Sequence, residues 1–482
     1  MIAAFLTSCV AESCSISLGG GGFMLAAPTN KEPFIVDFFT QTPKVKKPAN
    51  ELDFSPIVVD YKDSIQTFHI GIGSIAVPGN VAAIFKIHET LGSIPLKELA
   101  QPAIEFAKTE WEVDGFQEIG IDLLYPILAN KPEQAKIYTK ENGSKKRKGD
   151  KLTIPFLSDA IEAIITEGKR EFYEGEFAKK LVGDCNTQGG YLTPEDLKNY
   201  KVELRNPVKV NYKGNTIYTN PPPGSGGMLI GFALKLLQAN GNFNGEFGSK
   251  KHIELVANCM QSVNKARQDL LNGKAINNSL LKEFLSDNMV NHYLKPSVSK
   301  IGSTTHISIV DKNGNAASLT HSSGEGSGYT IPETGIMMNN MLGEADLMPL
   351  GFHKFPLDTR ISSMMSPTII KNGNEITAVI GSGGANRIRS AILQTIINLI
   401  DFKMDIADAI EAPRIHLEAN DLHLEGAFET EIIESLNLPK LITNLWQQNQ
   451  HMFFGGVNAI AKKGDSYFGH GDTRRFGVVL EN

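Results

Sequence analysis

The chain has 482 residues, 41% hydrophobic and 21% charged, and 47 basic against 53 acidic side chains give a net charge of −6. That balance excludes a disordered chain or a fibre, and a body this long needs neither disulfides nor metals to hold a core. No basic excess marks a nucleic-acid partner, since Lys145, Lys146, Arg147 and Lys148 form only a short surface cluster. Length alone suits roughly three domains or one large α/β body. Residues 1–18 are mildly apolar, contain Glu12 and lack a charged leading segment. They fit a buried helix better than an export signal, despite the lipoprotein-like Leu6-Thr7-Ser8-Cys9. No apolar run reaches the ~18 residues of a membrane helix. Cys9, Cys14, Cys185 and Cys259 show neither C-x-x-C pairing nor zinc spacing, so free or buried thiols and no metal site are expected.

The first 300 residues are helix-rich. Leu99, Ala103 and Phe106 recur at helical spacing and predict a helix over 96–107. Residues 209–220 read as two short strands about Lys213-Gly214. Pro221-Pro222-Pro223-Gly224-Ser225-Gly226-Gly227 then blocks regular structure, and a helix over 228–239 stops at Asn240-Gly241. Residues 272–303, including Lys295-Pro296-Ser297-Val298-Ser299-Lys300, have the polar composition of an exposed linker. After 303 the texture turns to β. Thr305, Ile307 and Ile309 alternate with His306, Ser308 and Val310, and Asn313-Gly314 is a hairpin turn into 316–320. A second hairpin joins 368–370 to 376–380 through Asn372-Gly373. Ile388, Ala391, Ile392, Thr395, Ile396 and Leu399 mark a helix with one apolar face, and Asp405 is placed to cap a short helix ending before Pro413. Strand pairs among packed helices indicate a layered α/β body.

Generic catalytic signatures are missing: no G-x-S-x-G elbow, Walker A loop, H-E-x-x-H or G-x-G-x-x-G occurs. Ser225, Ser327 and Ser382 sit among glycines without elbow spacing, and the 11 His define no Ser-His-Asp triad by order alone. What stands out is Gly302-Ser303-Thr304-Thr305-His306, where a polar stretch ends at a strand opening on two threonines. Threonine attacks poorly without a base beside it. Cutting the chain before it supplies one, because the freed α-amine has a pKa near ~7.7–8.0.

Residues 304–340, TTHISIVDKNGNAASLTHSSGEGSGYTIPETGIMMNN, resemble the catalytic segment of the γ-glutamyltranspeptidase family. Six further blocks resemble that family in order: Gly19-Gly20-Gly21-Gly22-Phe23-Met24-Leu25, Val77-Pro78-Gly79, the 221–227 segment, Ser362-Ser363-Met364-Met365-Ser366-Pro367-Thr368, Gly381-Ser382-Gly383-Gly384-Ala385-Asn386-Arg387-Ile388 and Asp472-Thr473-Arg474-Arg475. The resemblance spans the whole chain. It implies an N-terminal-nucleophile hydrolase with a four-layer αββα sandwich, made as one precursor and cut between Ser303 and Thr304. Fragments 1–303 and 304–482 would remain together as a heterodimer. Thr304 would be the nucleophile and its amine the base, with Ser322 orienting it where the family has Thr. The backbone N–H groups of Gly383, Gly384 and Ala385 would hold the oxyanion. No metal or organic cofactor, nucleic acid or membrane span is implied. The family is commonly periplasmic or extracellular and carries sequence before the point matched by Met1, so a missing leading segment, with any export signal, is expected.

The departures bear on substrate. Where the family holds the donor α-carboxylate with an Arg in D-F-R-E, this chain has Asp37-Phe38-Phe39-Thr40, losing a bidentate clamp. An Asn after the catalytic hairpin becomes Gly324 or Glu325. The family's N-N-x-M-D-D becomes Asn339-Asn340-Met341-Leu342-Gly343-Glu344, which leaves Glu344 as the candidate ligand for a donor amine, or a surface carboxylate. Asn340, Ser362 and Ser363 complete the candidate substrate-binding set, with one of the paired serines aligning to Met364 unless the register shifts by one. Phe39 and Met364 are expected as core or wall. Arg387 either holds the 383–384 turn or contacts ligand. Residues 347–359 are too few for the lid loop of some members. The expected activity is hydrolysis or transfer of γ-glutamyl groups from glutathione-like donors to water, amino acids or peptides. The alternatives are a glutaryl or cephalosporin acylase with the same nucleophile, and a non-processing binding protein.

Overall fold

The apolar run Gly21–Ala27 is buried along its whole length. Phe23, Leu25 and Ala27 join one hydrophobic core, while Met24 and Ala26 join another. Side chains that alternate between two cores require a sheet covered on both faces. In the computed structural model, which describes residues 1–60, 65–241, 245–271, 276–293 and 304–481, that is the arrangement. The strands of the two main sheets are β1 (Gly21–Ala27), β2 (Phe34–Asp37), β3 (Glu203–Arg205), β4 (Val208–Tyr212), β5 (Asn215–Thr219), β6 (Thr305–Val310), β7 (Ala316–Ser322), β8 (Thr368–Asn372), β9 (Glu375–Gly383), β10 (Gly456–Lys463) and β11 (Ser466–Gly471). The five-stranded sheet runs β6-β7-β1-β2-β3 and the six-stranded sheet β11-β10-β9-β8-β5-β4. All pairings within them are antiparallel.

The helices used below are α1 (Ile2–Ala11), α2 (Leu96–Lys108), α3 (Gly115–Leu128), α4 (Gly226–Ala239), α5 (Lys250–Leu271), α6 (Asn278–Phe284), α7 (Asp287–His292), α8 (Arg387–Ile400) and α9 (Ile406–Glu411). β6 and β7 stack on β9 and β10 across the middle of the sandwich, and α4 and α8 cover the outer face of the six-stranded sheet. On the other outer face α1 packs on α2, and its Phe5 meets Phe38 at 5.6 Å and His321 at 4.7 Å. The order is helix, sheet, sheet, helix, as the αββα expectation requires. Residues before and after 303 contribute strands to both sheets, so the chain is one body and not three domains.

The hairpins at Asn313-Gly314 and Asn372-Gly373 and the helix at 96 form where local pattern placed them, and the helix expected from 228 begins two residues earlier, at Gly226. Three expectations are corrected. Residues 276–293 are not a linker: they form α6 and α7, capped by the Asn277 and Ser286 side chains, and bury Leu280, Phe284 and Val290. The Lys295–Ser299 stretch lies outside the described residues. α8 is buried on nearly every side, including at Arg387, Arg389, Gln394 and Asn398, because it lies between the sheet and further helices. Asp405 does precede α9, but its side chain pairs with Lys463 at 2.8 Å and makes no cap hydrogen bond.

Candidate active site

Thr304 immediately precedes β6. The β6–β7 ladder sets Thr305 opposite His321, so continuing that register brings Thr304 beside Ser322. Thr304 is 8% exposed and Ser322 1%, and both line one cleft of about 790 Å³. Ser322 Oγ accepts the Gly324 N–H at 2.8 Å, which fixes the hydroxyl at the end of its strand. Gly383, paired with Gly456 at the end of β9, closes on Thr304 from the other sheet. A Cβ on Gly383 would stand 1.8 Å from the Thr304 carbonyl oxygen, so only glycine fits. The chain then turns through Gly384 (φ +117°) and Ala385 (φ +46°) into the 14-residue α8. The N–H groups at the head of a helix lack intrahelical acceptors and carry the positive end of its dipole, so this turn suits developing negative charge. Ser303 lies outside the described residues.

A second group of side chains supplies negative charge. Glu344 and Asp346 line the cleft, and Glu325 is fully buried close by. Burial first, then Glu325, then Asp346, hold the Glu344 carboxyl well above the usual carboxylate range. Its Oε1 has no hydrogen-bond partner among the described residues. A half-buried carboxyl with an enclosed oxygen and like charges around it favours a proton or an incoming cation. Asn340 is buried and not a cleft wall: its Oδ1 accepts the Glu325 N–H at 2.9 Å and its Nδ2 reaches His69 O at 3.4 Å. It therefore shapes the loop beside Glu344. Ser362 and Ser363 both line the cleft; Ser363 Oγ accepts the Met365 N–H at 3.1 Å. Asn386 Nδ2 donates to Asp346 Oδ2 at 3.1 Å, tying this end of the cleft to the 383–385 turn.

Phe39 and Met364 are apolar walls, as expected. Phe39 is 1% exposed and stacks on Phe23 at 5.4 Å. The nearby guanidinium of Arg360 is committed to the frame: it donates to Phe39 O, the Tyr200 hydroxyl and Lys201 O, and faces Asp37 at 3.4 Å. Residues 347–361 form a wall and not a lid. The Thr42 hydroxyl donates to Pro356 O at 2.6 Å, and the Tyr191 hydroxyl meets His353 Nδ1 at 2.9 Å. Arg387 Nε donates to Phe453 O at 2.8 Å, with the guanidinium over that ring, so this contact holds a neighbouring loop.

Sequence reasoning missed several residues that shape the site. Arg475, noted only within a family block, brings Nη1 to 3.5 Å from the space beside Gly383. Arg267 lines the cleft from α5 and interacts with Asp346. His306 is wedged between the sheets, with Nδ1 2.8 Å from the Thr320 hydroxyl and Nε2 2.9 Å from Ser308. Burial, then His321, push His306 down to about 3, so it stays neutral. Only its strand parity, pointing the same way as Thr304, could have flagged it. Among the described residues no His/Cys/Asp/Glu cluster could hold a metal ion, and no helix is long and apolar enough to cross a membrane.

Comparison with known proteins gives this geometry a context. The family model described as gamma-glutamyltranspeptidase matches residues 1–481. The chain is 30% identical over 464 residues to a glutathione hydrolase proenzyme of Escherichia coli K12, covering 87% of this chain and 77% of the relative. It is 29% identical over 480 residues to the capsule biosynthesis protein CapD proenzyme of Bacillus anthracis, covering 98% and 84%. The crystal structure of a cephalosporin acylase from Bacillus halodurans superposes with a TM-score of 0.81 at 20% identity, over 99% of this chain and 90% of that one, a likeness of fold. With a threonine-led strand, a glycine turn and a carboxylate-lined cleft in one matched body, the chain belongs to the gamma-glutamyltranspeptidase family of enzymes.

Proposed function

We propose that the protein is a self-cleaving threonine hydrolase and acyltransferase acting on γ-glutamyl amides. The observation that carries this reading is one cleft lined by Thr304, Ser322, Ala385, Glu344 and Asp346, with Gly383 against Thr304. The chain is cut between Ser303 and Thr304, and fragments 1–303 and 304–482 stay associated because each sheet draws strands from both. The freed α-amine of Thr304 takes the proton from its own Oγ as that oxygen attacks the γ-carbonyl carbon. The carbonyl oxygen gains negative charge facing the N–H groups of the 383–385 turn, where one such donor is worth about 3–4 kcal/mol. The amine returns the proton to the departing amine. Water or an acceptor amine then attacks the acyl ester and frees Thr304. Ser322 orients the nucleophile, and no cofactor enters a step.

The carboxylates support an amine-bearing donor: an α-ammonium group beside Glu344 relieves the crowding of like charges. Its carboxylate meets Ser362, Ser363 and the Arg267 guanidinium in place of a residue-39 arginine. Placement outside the cytoplasm belongs to this proposal and rests on the family alone. A glutaryl or cephalosporin-type acyl group is the second reading, favoured by Phe39, buried and stacked where the family's clamp would stand. Turnover of a γ-glutamyl anilide against the matching glutaryl anilide decides between them. Equal or better use of the glutaryl compound, which lacks the amine, overturns the first. A non-processing binding protein is tested by denaturing electrophoresis: two fragments that become one in Thr304→Ala exclude it, and an uncut wild type overturns the enzyme reading.

A further inference from the structure

Glu12 is a buried acid that the proposed reaction does not use. It follows α1 at the end of the helix, and its Oε2 accepts the Thr305 hydroxyl at 2.5 Å. Thr305 is the first ladder residue of β6 and the covalent neighbour of Thr304. Its partner across the ladder, His321, is held by the same helix: Phe5 stands edge-on to the ring at 4.7 Å, and Ser8 Oγ lies 3.1 Å from Nε2. The next pair, His306 and Thr320, points the opposite way, toward Gly381 of the second sheet. Strand side chains alternate, so Thr304 faces the sandwich interior while Thr305 faces α1. The first rung of the ladder is therefore gripped from behind by Glu12, Phe5 and Ser8, at the point where Thr304 enters the cleft.

Cutting the chain before Thr304 would turn this rung into a free strand end, and strand ends open first. We propose that Glu12 is a positioning residue for that chain end, holding Thr305 from the back of the sheet so that Thr304 stays in the cleft. This rests on the reading of Thr304 as the nucleophile. Burial, opposed by the Thr305 hydrogen bond and reinforced by Asp114, pushes the Glu12 carboxyl up to about 7. Either protonation state leaves an oxygen to accept the Thr305 hydroxyl, so the grip does not depend on ionisation. The Gln117 side chain donates to Ala11 O at 2.6 Å and braces the backbone beside Glu12 against α3.

The test compares Glu12→Gln and Glu12→Ala with Thr305→Ser and Thr305→Val, assayed well below each variant's Tm. Glutamine and serine keep an acceptor and a donor, and are expected to cut and turn over within about twofold of wild type. Alanine and valine lose the contact. They are expected to lower kcat roughly ten- to a hundredfold with KM little changed, and to slow the appearance of two fragments. Alanine and valine variants with wild-type kcat overturn the proposal, whether or not their Tm falls, since a lower Tm alone marks a structural role. So does a Gln variant as impaired as the Ala variant. If Glu12→Ala does not fold, the Thr305 pair decides. Failure of the underlying reading is seen separately, with Glu12 intact: a wild type that remains one chain, or a Thr304→Ala variant that still turns over.

Discussion

The carbonyl oxygen of Thr304 fills the space a side chain at Gly383 would need: a Cβ there would lie 1.8 Å away. The residue just before β6 and the last residue of β9 are thus in backbone contact, and the 383–385 turn is held at a fixed distance from Thr304. Gly383→Ala is expected to displace one or the other. On the proposed mechanism, loss of one oxyanion donor costs about 10²–10³ in kcat, and misplacing Thr304 adds to that. The measurement is turnover together with fragment formation on a denaturing gel. An alanine variant that cuts and turns over like wild type would remove this turn from the mechanism.

Glu344→Gln is expected to alter substrate preference more than rate. The carboxyl sits beside Glu325 and Asp346, and a donor ammonium would satisfy all three. The variant should raise KM for a γ-glutamyl anilide by roughly ten- to a hundredfold, the value of a hydrogen bond to a charged group. KM for the glutaryl anilide should stay near wild type. Parallel changes in both would show that Glu344 does not contact the amine.

Much of this site was legible because it is local or ordered along the chain. The alternation of residues 305–310, the Asn-Gly turn and the glycine run at 381–384 carry their geometry in neighbouring residues. What escaped depends on distant partners. Glu12 meets Thr305 across 293 positions, and Arg360 acquires its role only by closing on Asp37, Phe39 and Tyr200. The 276–293 segment reads as linker only when pooled with the Asn-, Ser- and Lys-rich residues around it; taken alone, Leu280, Leu281, Phe284, Leu285, Met289 and Val290 recur at helical spacing, and Phe284 packs edge-on against Phe232 at 4.7 Å. Asp405 fits a capping rule, yet Lys463 lies closer to its carboxylate than the helix N–H groups do. At Asp405 tertiary contact overrode local preference.

Replacing Phe39 by Arg should not restore the carboxylate clamp that the family carries at this position. The ring is buried on Phe23, and Arg360 already supplies a guanidinium to the backbone at this point. A second cation there would be buried beside the Arg360 guanidinium, and the adjacent Asp37 is already paired with Arg205 and Arg360, at a cost of about 3–5 kcal/mol. Chemical or thermal denaturation should show the loss, with no fall in KM for the γ-glutamyl anilide. A stable variant with lower KM would mean that the wall opens to the cleft more than its packing indicates.

Glu12 makes stability depend on pH in a direction opposite to that of ordinary paired acids. Its folded pKa of about 7 lies above the ordinary 4.5, with burial as the first cause. The folded state therefore binds the proton more tightly than the unfolded state does. The contribution is fully present below 4.5 and is lost as pH rises through about 7. At about 1.36 kcal/mol per unit it amounts to at most on the order of 3 kcal/mol. Glu12→Gln has no proton to lose there. Denaturation midpoints of both proteins at pH 5 and pH 8 should show wild type losing ground to the variant at pH 8. Glu344 and other acids titrate in both proteins and cancel in the difference. A gap between the two proteins that is the same at both pH values would mean that Glu12 is ionised throughout, in contact with water instead of enclosed between α1, Thr305 and Asp114.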